Sequence, residues 1–208
     1  MTSEIQFDII LEAINFATIK HHGQVRKDEH ASPYITHPVS VAKAIWQIGG
    51  VRDLATLAAA ILHDTIEDTD TTETEIRENF GEEISKIVLE VTDDKSLNKM
   101  ERKRRQVLHA PELSQAAKLI KLGDKLINCR DILHSPPKSW DVDRRKEYIQ
   151  WAADVVFEIR GANKTLENSF DETLLDAEQQ LNFSIKPFGT VNQRPWAPDP
   201  SQPFDHQE

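Results

Sequence analysis

Apolar residues recur at three- and four-residue steps almost everywhere in this chain, and period-two alternation is hard to find. That feature restricts the fold to helices packed on helices, an all-α bundle. Seven glycines in 208 residues leave few natural stops, so the stops are informative. A first helix is expected from about Glu4 to His22, with Ile9, Ile10, Ala13, Ile14 and Ala17 inward and Gly23 closing it. Pro38 suits the first residue of a second helix that ends at Gly49-Gly50. Asp53 can cap a third helix running through Asp64. Thr72 and Glu75 make a capping box for a short helix to Gly81. Further helices are expected over about 82–91, 99–109, 114–132, 141–164 and 167–181. A chain of this length supports one sizeable core, so residues 1–182 are expected to form a single domain. The stretch beyond reads differently. Half of the ten prolines fall in "KPFGTVNQRPWAPDPSQPFDHQE", and proline at that density cannot continue a helix. Residues 183–208 are therefore expected to be an extended or disordered tail, with Phe188, Trp196 and Phe204 spaced along it.

Charge and composition exclude several roles. A net charge of −10 argues against general nucleic-acid binding, because a phosphate backbone requires a basic face. It leaves room for a small anionic ligand, which needs only a local group of cations. No run of about 18 apolar residues suggests a membrane span. The opening "MTSEIQFDII" has neither the basic nor the apolar region of a signal peptide. The single cysteine, Cys129, cannot form an intramolecular disulfide and fits a reducing cytoplasm.

The chemically loaded stretch is "AAILHDTIEDTDT", residues 58–70. An apolar helix runs into His63, Asp64, Glu67, Asp68 and Asp70, with no lysine or arginine nearby in sequence. On a helix Asp64 and Asp68 share a face, and His63 and Glu67 share the adjacent one. Buried like charges repel and desolvate badly, so the cluster needs exposure, protonation or a cation. The buried approach through Ala58, Ala59, Ile61 and Leu62 favours a divalent cation. Two other stretches point the same way. In "GQVRKDEHASPYITHP", His37 projects from a rigid turn before Pro38. In "KLIKLGDKLINCRD", Asp124 and Asn128 lie four apart on a helix otherwise rich in leucine and isoleucine. A salt bridge from Lys121 or Lys125 is the alternative account of Asp124.

Together, "RKDEHASPYITHP", "LHDTIEDTD" and "LGDKLINCRD" resemble the H…HD…D pattern of the HD phosphohydrolase superfamily. They look most like the (p)ppGpp hydrolase domain of the RelA/SpoT enzymes and the single-domain Mesh1-type small alarmone hydrolases. "EVTDDKSLNKMERKRRQ" and "RRKEYIQWAADVV" are similar to that group as well, and the likeness spans about residues 5–180. The resemblance implies an HD-domain bundle with His37, His63, Asp64 and Asp124 as metal ligands. It implies that Glu67 and Asp68 act on the water, that Asn128 lines a nucleotide site, and that Arg26 and Lys27 sit beside the substrate. Two imidazoles and two carboxylates suit Mn²⁺, with Fe²⁺ or Zn²⁺ as alternatives. The implied reaction releases pyrophosphate from the 3′-diphosphate of ppGpp or pppGpp. So anionic a substrate requires local cations, for which Lys99, Arg102, Lys103, Arg104, Arg144 and Lys146 join Arg26 and Lys27 as candidates, and Tyr148 can offer its hydroxyl. The same site admits (p)ppApp, NADPH as the substrate of a 2′-phosphatase, or a nucleotide-binding regulator without turnover. The implied partner is a small nucleotide, and the sequence leaves a homodimer open. His21 and His22 read as dipole-complementing residues at the end of the first helix, and Cys129 as a small core residue.

Overall fold

The computed structural model describes residues 2–187, with side chains from residue 7 onward. Its regular elements are helical: α1 (Thr2–Lys20), α2 (Thr36–Gln47), α3 (Leu54–Leu62), α4 (Thr65–Asp68), α5 (Glu73–Val91), α6 (Lys99–His109), α7 (Gln115–His134), α8 (Val142–Glu158) and α9 (Lys164–Leu181). A 3₁₀ turn over Ala110–Glu112 links α6 to α7. Among the described residues no strand forms, and the one isolated bridge pairs Val25 with Pro33.

α3 is the centre of the bundle. Its sequence "LATLAAAIL" has no polar face, and Leu57, Ala58, Ala59, Ala60, Ile61 and Leu62 are all buried. A helix apolar all round must be surrounded, and α1, α2, α5 and α7 pack against it. Asp53 starts it by accepting the Thr56 N–H at 2.8 Å, the expected cap. α7 is the second long core helix and lies against α2, α3, α5, α8 and α9. It crosses α2 closely because Gly123 has no side chain. A Cβ there would come within 3.1 Å of Ile45 and 3.2 Å of Val41.

Several boundaries differ from the sequence reading. α2 begins at Thr36, so His37 lies inside its first turn and Pro38 after it. Proline is tolerated there because N–H groups of a first turn have no intrahelical acceptor. The third helix stops at Leu62, and His63 and Asp64 form a break before α4. The expected pair of helices meeting at Gly81 is observed: α5 is two helical runs joined at Gly81, whose φ +83° and ψ 170° are not helical. α8 ends at Glu158 and not at residue 164, because the chain turns through Gly161 at φ +94°. α9 then begins earlier than expected, capped by the Asn163 side chain on the Leu166 N–H. Past Asn182 the chain stays on the body. Phe183 and Ile185 pack on the core, and the Lys186 N–H donates to Gln150 Oε1 at 2.8 Å. Phe188, Trp196 and Phe204 lie outside the described residues. No helix of the described residues is long and apolar enough to cross a membrane.

Candidate metal centre and substrate cleft

Three core helices deliver side chains to one end of α3. His37 comes from the first turn of α2, His63 and Asp64 from the break between α3 and α4, and Asp124 from the middle of α7. Asp64 has φ −97° and ψ −3°, a sparsely allowed region often used by active-site residues. Its side chain does not cap α4 and turns to its neighbours instead. His37 Nε2 lies 3.1 Å from Asp124 Oδ1 and 3.8 Å from Asp64 Oδ2. His63 Nε2 lies 3.2 Å from Asp64 Oδ1 and 3.9 Å from Asp124 Oδ1. Ligand atoms of His37, His63 and Asp124 all fall within 4.8 Å of one another, with Asp64 alongside.

The tautomer of His63 makes this more than a cluster. Its Nδ1 lies 2.8 Å from the Ala60 carbonyl, so Nδ1 is the protonated nitrogen. In the neutral ring Nε2 is then a bare lone pair, buried without a hydrogen-bond partner and facing two carboxylates. Lone pairs converging in a buried site require a cation between them. A proton is the smallest candidate: burial works against charge on His63, but Asp64 and Asp124 outweigh it and raise its pKa to about 9. Asp64 is held well below the usual carboxylate range, its burial overcome by His63 and His37. Asp124 is depressed likewise, against burial, by Lys125, His37 and His63. The mixed nitrogen and oxygen donor set fits a divalent metal ion at the same place.

The acids of the stretch 58–70 are not unpartnered. Their partners come from segments remote in sequence. Asp68 pairs with Lys95 on the α5–α6 connection, and Glu67 Oε1 lies 3.3 Å from Arg102 Nη1 on α6. The Asp93 N–H donates to Glu67 Oε2 at 3.2 Å. The Tyr34 hydroxyl donates to Asp64 Oδ2 at 2.6 Å and stands 3.2 Å from Asp68 Oδ2. Burial raises the pKa of Glu67, and the charges of Asp93 and Asp64 add to it, bringing it to about 7. Asp124 receives Lys125 Nζ at 2.9 Å, the ion pair set out as the alternative from sequence, while keeping its other oxygen toward His37.

A cleft of about 570 Å³ opens over this centre. A second hollow of about 700 Å³ adjoins it and shares Arg26, Lys27, Tyr34, Asn128, Trp140 and Tyr148. Arg26 is set by Asp131 at 2.6 Å and by Asn128 Oδ1 at 3.1 Å, and Asn128 in turn donates to Asp124 Oδ1 at 2.5 Å. Lys99 is held below its ordinary pKa by partial burial and by the charges of Arg144 and Lys27. Those three cations therefore crowd one rim of an otherwise acidic protein. Lys103 is lowered to about 8 by burial and by Lys99, with its ammonium 4.9 Å from the Trp151 ring centre. Tyr148 sits between Trp140 and Trp151 at 5.6 and 5.2 Å, half-buried and still on the cleft wall.

Arg104 departs from the sequence reading. Lys99, Arg102, Lys103 and Gln106 share one face of α6 and line the cleft. Arg104 is set about 140° round the helix from Lys99 and pairs with Glu101 at 3.0 Å outside it. Lys146 is also off the cleft, 3.9 Å from Asp143. His21 does not serve simply as a helix-end cation. It is buried, bonds Gln24 at 2.8 Å and packs its ring 4.7 Å from Tyr34. Cys129 is fully buried, as a core residue should be. Sequence reasoning missed Tyr34, Lys95 and Asp93. Tyr34 stands three residues before His37, and that proximity was the available signal.

The HD domain family model matches residues 13–152, which include the four candidate ligands. The chain belongs to the HD-domain family, in its MESH1 branch. Among HD-domain relatives, the guanosine-3′,5′-bis(diphosphate) 3′-pyrophosphohydrolase MESH1 of Xenopus tropicalis is 53% identical over 168 residues, 81% of this chain and 94% of that protein. The Homo sapiens MESH1 is 49% identical over 160 residues, 77% and 89% respectively. A solved structure described as a metazoan ortholog of SpoT that hydrolyses ppGpp superposes with a TM-score of 0.79 at 42% identity, covering 81% of this chain and 94% of that one. The HD-domain bundle expected from the motifs is thus the observed fold.

Proposed function

We propose that this protein hydrolyses the 3′-diphosphate of guanosine alarmones, converting ppGpp to GDP, and pppGpp to GTP, with release of pyrophosphate. The observation that supports it most is the two-part cleft: a centre of converging His and Asp donor atoms, facing a rim of Lys27, Lys99 and Arg144 that suits a polyphosphate. Its relatives' activity agrees with that layout.

In this reading His37, His63, Asp64 and Asp124 hold a divalent ion, for which the mixed donors suit Mn²⁺ and also admit Fe²⁺ or Zn²⁺. When bound, the ion supplies Lewis-acid polarisation and acidifies water. Glu67 is the general base. Its carboxylate is oriented by the Asp93 amide and Arg102, and a pKa near neutrality suits proton abstraction. Asp68 is engaged by Lys95 and lies beside Tyr34, so it orients and does not compete for the proton. Arg26, Lys27, Lys99, Asn128, Arg144 and Tyr148 bind the nucleotide. Hydrolysis joins the water oxygen to the phosphorus on the ribose 3′ oxygen. The bond between that phosphorus and that oxygen breaks, and the ribose oxygen takes a proton. The hydrolase domain is assigned to residues 1–182 and the proline-rich segment to residues 183–208, in a cytoplasmic protein.

The test is product analysis with purified protein, chelated or supplied with Mn²⁺, on ppGpp, ppApp and NADPH in parallel. Pyrophosphate and GDP from ppGpp, abolished by chelation and restored by Mn²⁺, are the expected result. Glu67→Gln should lower kcat by about 10²–10⁴ with little change in KM. Full turnover by metal-free protein, or an intact kcat in Glu67→Gln, would contradict the assignment.

A further inference from the structure

Lys121 is a buried lysine that the chemistry above does not use. It lies on α7 among buried Leu119, Ile120 and Leu122, and only 9% of its surface is exposed. Burial and the neighbouring Lys125 both work against its charge. A cation in such a place is costly unless something requires it.

Its contacts indicate what that is. Lys121 Nζ donates to the carbonyl of Val91, the last residue of α5, at 2.8 Å. It also stands 3.8 Å from Asp93 Oδ1. The other Asp93 oxygen accepts from Gln106 Nε2 at 2.5 Å. The backbone leaving α5 is therefore tied to α7 by one side chain and to α6 by another. Between those ties the Asp93 N–H points at Glu67 Oε2. Arg102, one turn before Gln106 on α6, meets the other Glu67 oxygen. Lys121 is also one turn before Asp124, so a single helix sets both a candidate metal ligand and the segment that aims the base.

We propose that Lys121 is a positioning residue for Glu67, acting through the Asp93 amide and not by touching substrate. The proposal rests on the reading of Glu67 as general base. Its competitor is a plain structural role, in which Lys121 only caps the C-terminus of α5.

The experiment is a double-mutant cycle in the Mn²⁺-loaded protein with ppGpp as substrate. Lys121→Met keeps the length of the side chain and removes the donor. It should lower kcat by about 10–100-fold and leave KM within about twofold, since geometry at the base is lost and binding is not. In a Glu67→Gln background the same change should cost less than about twofold, because the group it aims is already gone. Equal losses in the two backgrounds, or a Lys121→Met protein with unchanged kcat, would overturn the proposal. Asp93→Asn supplies a second route should Lys121→Met fail to fold. It keeps the backbone N–H and weakens the tie to Lys121, and it should show the same dependence on Glu67 with a smaller loss; additivity with Glu67→Gln would overturn the proposal equally. Failure of the underlying reading has a different signature: Glu67→Gln alone would then retain kcat, and no coupling between the two positions would remain.

Discussion

Gly123→Ala probes the contact that brings α2 and α7 together. Two terms of known size oppose one another. Replacing glycine by alanine inside a helix gains about 1 kcal/mol in the absence of crowding. Here a Cβ would stand 3.1 Å and 3.3 Å from two Ile45 carbons and 3.2 Å from one of Val41. Ordinary carbon contacts lie near ~3.5–4.0 Å, so both side chains must retreat by a few tenths of an ångström. Val41 and Ile45 are fully buried, so neither can retreat into solvent. Overpacking of this kind costs about 1–3 kcal/mol, which leaves a net loss of about 0–2 kcal/mol. For a chain of this length that is a fall in Tm of up to about 8 °C. The wedge also acts on the metal centre. Asp124 follows Gly123, and His37 is one turn from Val41 on α2, so the strained interface is the one that sets the 3.1 Å spacing of His37 and Asp124. Scanning calorimetry in EDTA and in saturating Mn²⁺ separates the two effects. The Tm in EDTA should fall, and the further rise that Mn²⁺ produces should shrink, corresponding to at least about tenfold weaker binding. A variant whose Tm rises by the helix-propensity gain, with the Mn²⁺ increment untouched, would show that the α2–α7 contact yields freely and that the spacing of the ligands does not depend on it.

The pH dependence of stability should differ between the metal-free and metal-loaded protein. His63 in the metal-free fold has its pKa raised from 6.5 to about 9, so its contribution is complete below about pH 6.5 and is lost as pH rises through about 9. The Tm in EDTA should therefore decline between pH 7 and 9.5 more steeply than in Mn²⁺, where His63 has already surrendered that proton; parallel curves would refute the assignment of His63 as a ligand. Lys99→Ala should raise KM for ppGpp severalfold with kcat little changed, whereas Arg104→Ala, on the far side of α6, should leave both within about twofold. Reversal of that order in steady-state kinetics would mean that the wrong face of α6 had been assigned to the substrate. Tyr34→Phe should lower kcat by about 3–30-fold through loss of the hydrogen bond to Asp64, and an unchanged kcat would show that the Asp64 carboxylate holds its orientation unaided.

What the sequence determined by itself was local. The caps expected at Asp53 and Thr72 are the observed ones, and Asn98, Ser114 and Asp141 start their helices in the same local way, each side chain accepting a backbone N–H three residues on. The apolar period settles the all-α class, and the unusual density of acids after Leu62 marks the site, because both are properties of neighbours along the chain. Where the reading erred at a boundary, at His63, Gly161 and Asn163, the cause was a turn whose geometry depends on what it packs against. Tertiary structure alone decided how the acids after Leu62 and the cation of Arg26 are answered. Lys95 meets Asp68 across 27 residues, Arg102 meets Glu67 across 35, and Arg26 meets Asp131 across 105. Periodicity cannot see such pairs, since it gives the spacing of side chains around a helix and not the direction in which that helix is turned. The same rotation of α6 that brings Lys99 and Lys103 to the cleft carries Arg104 away from it, and that rotation is fixed by the packing of α6 against α8 together with the contacts of Gln106 to Asp93 and Arg102 to Glu67.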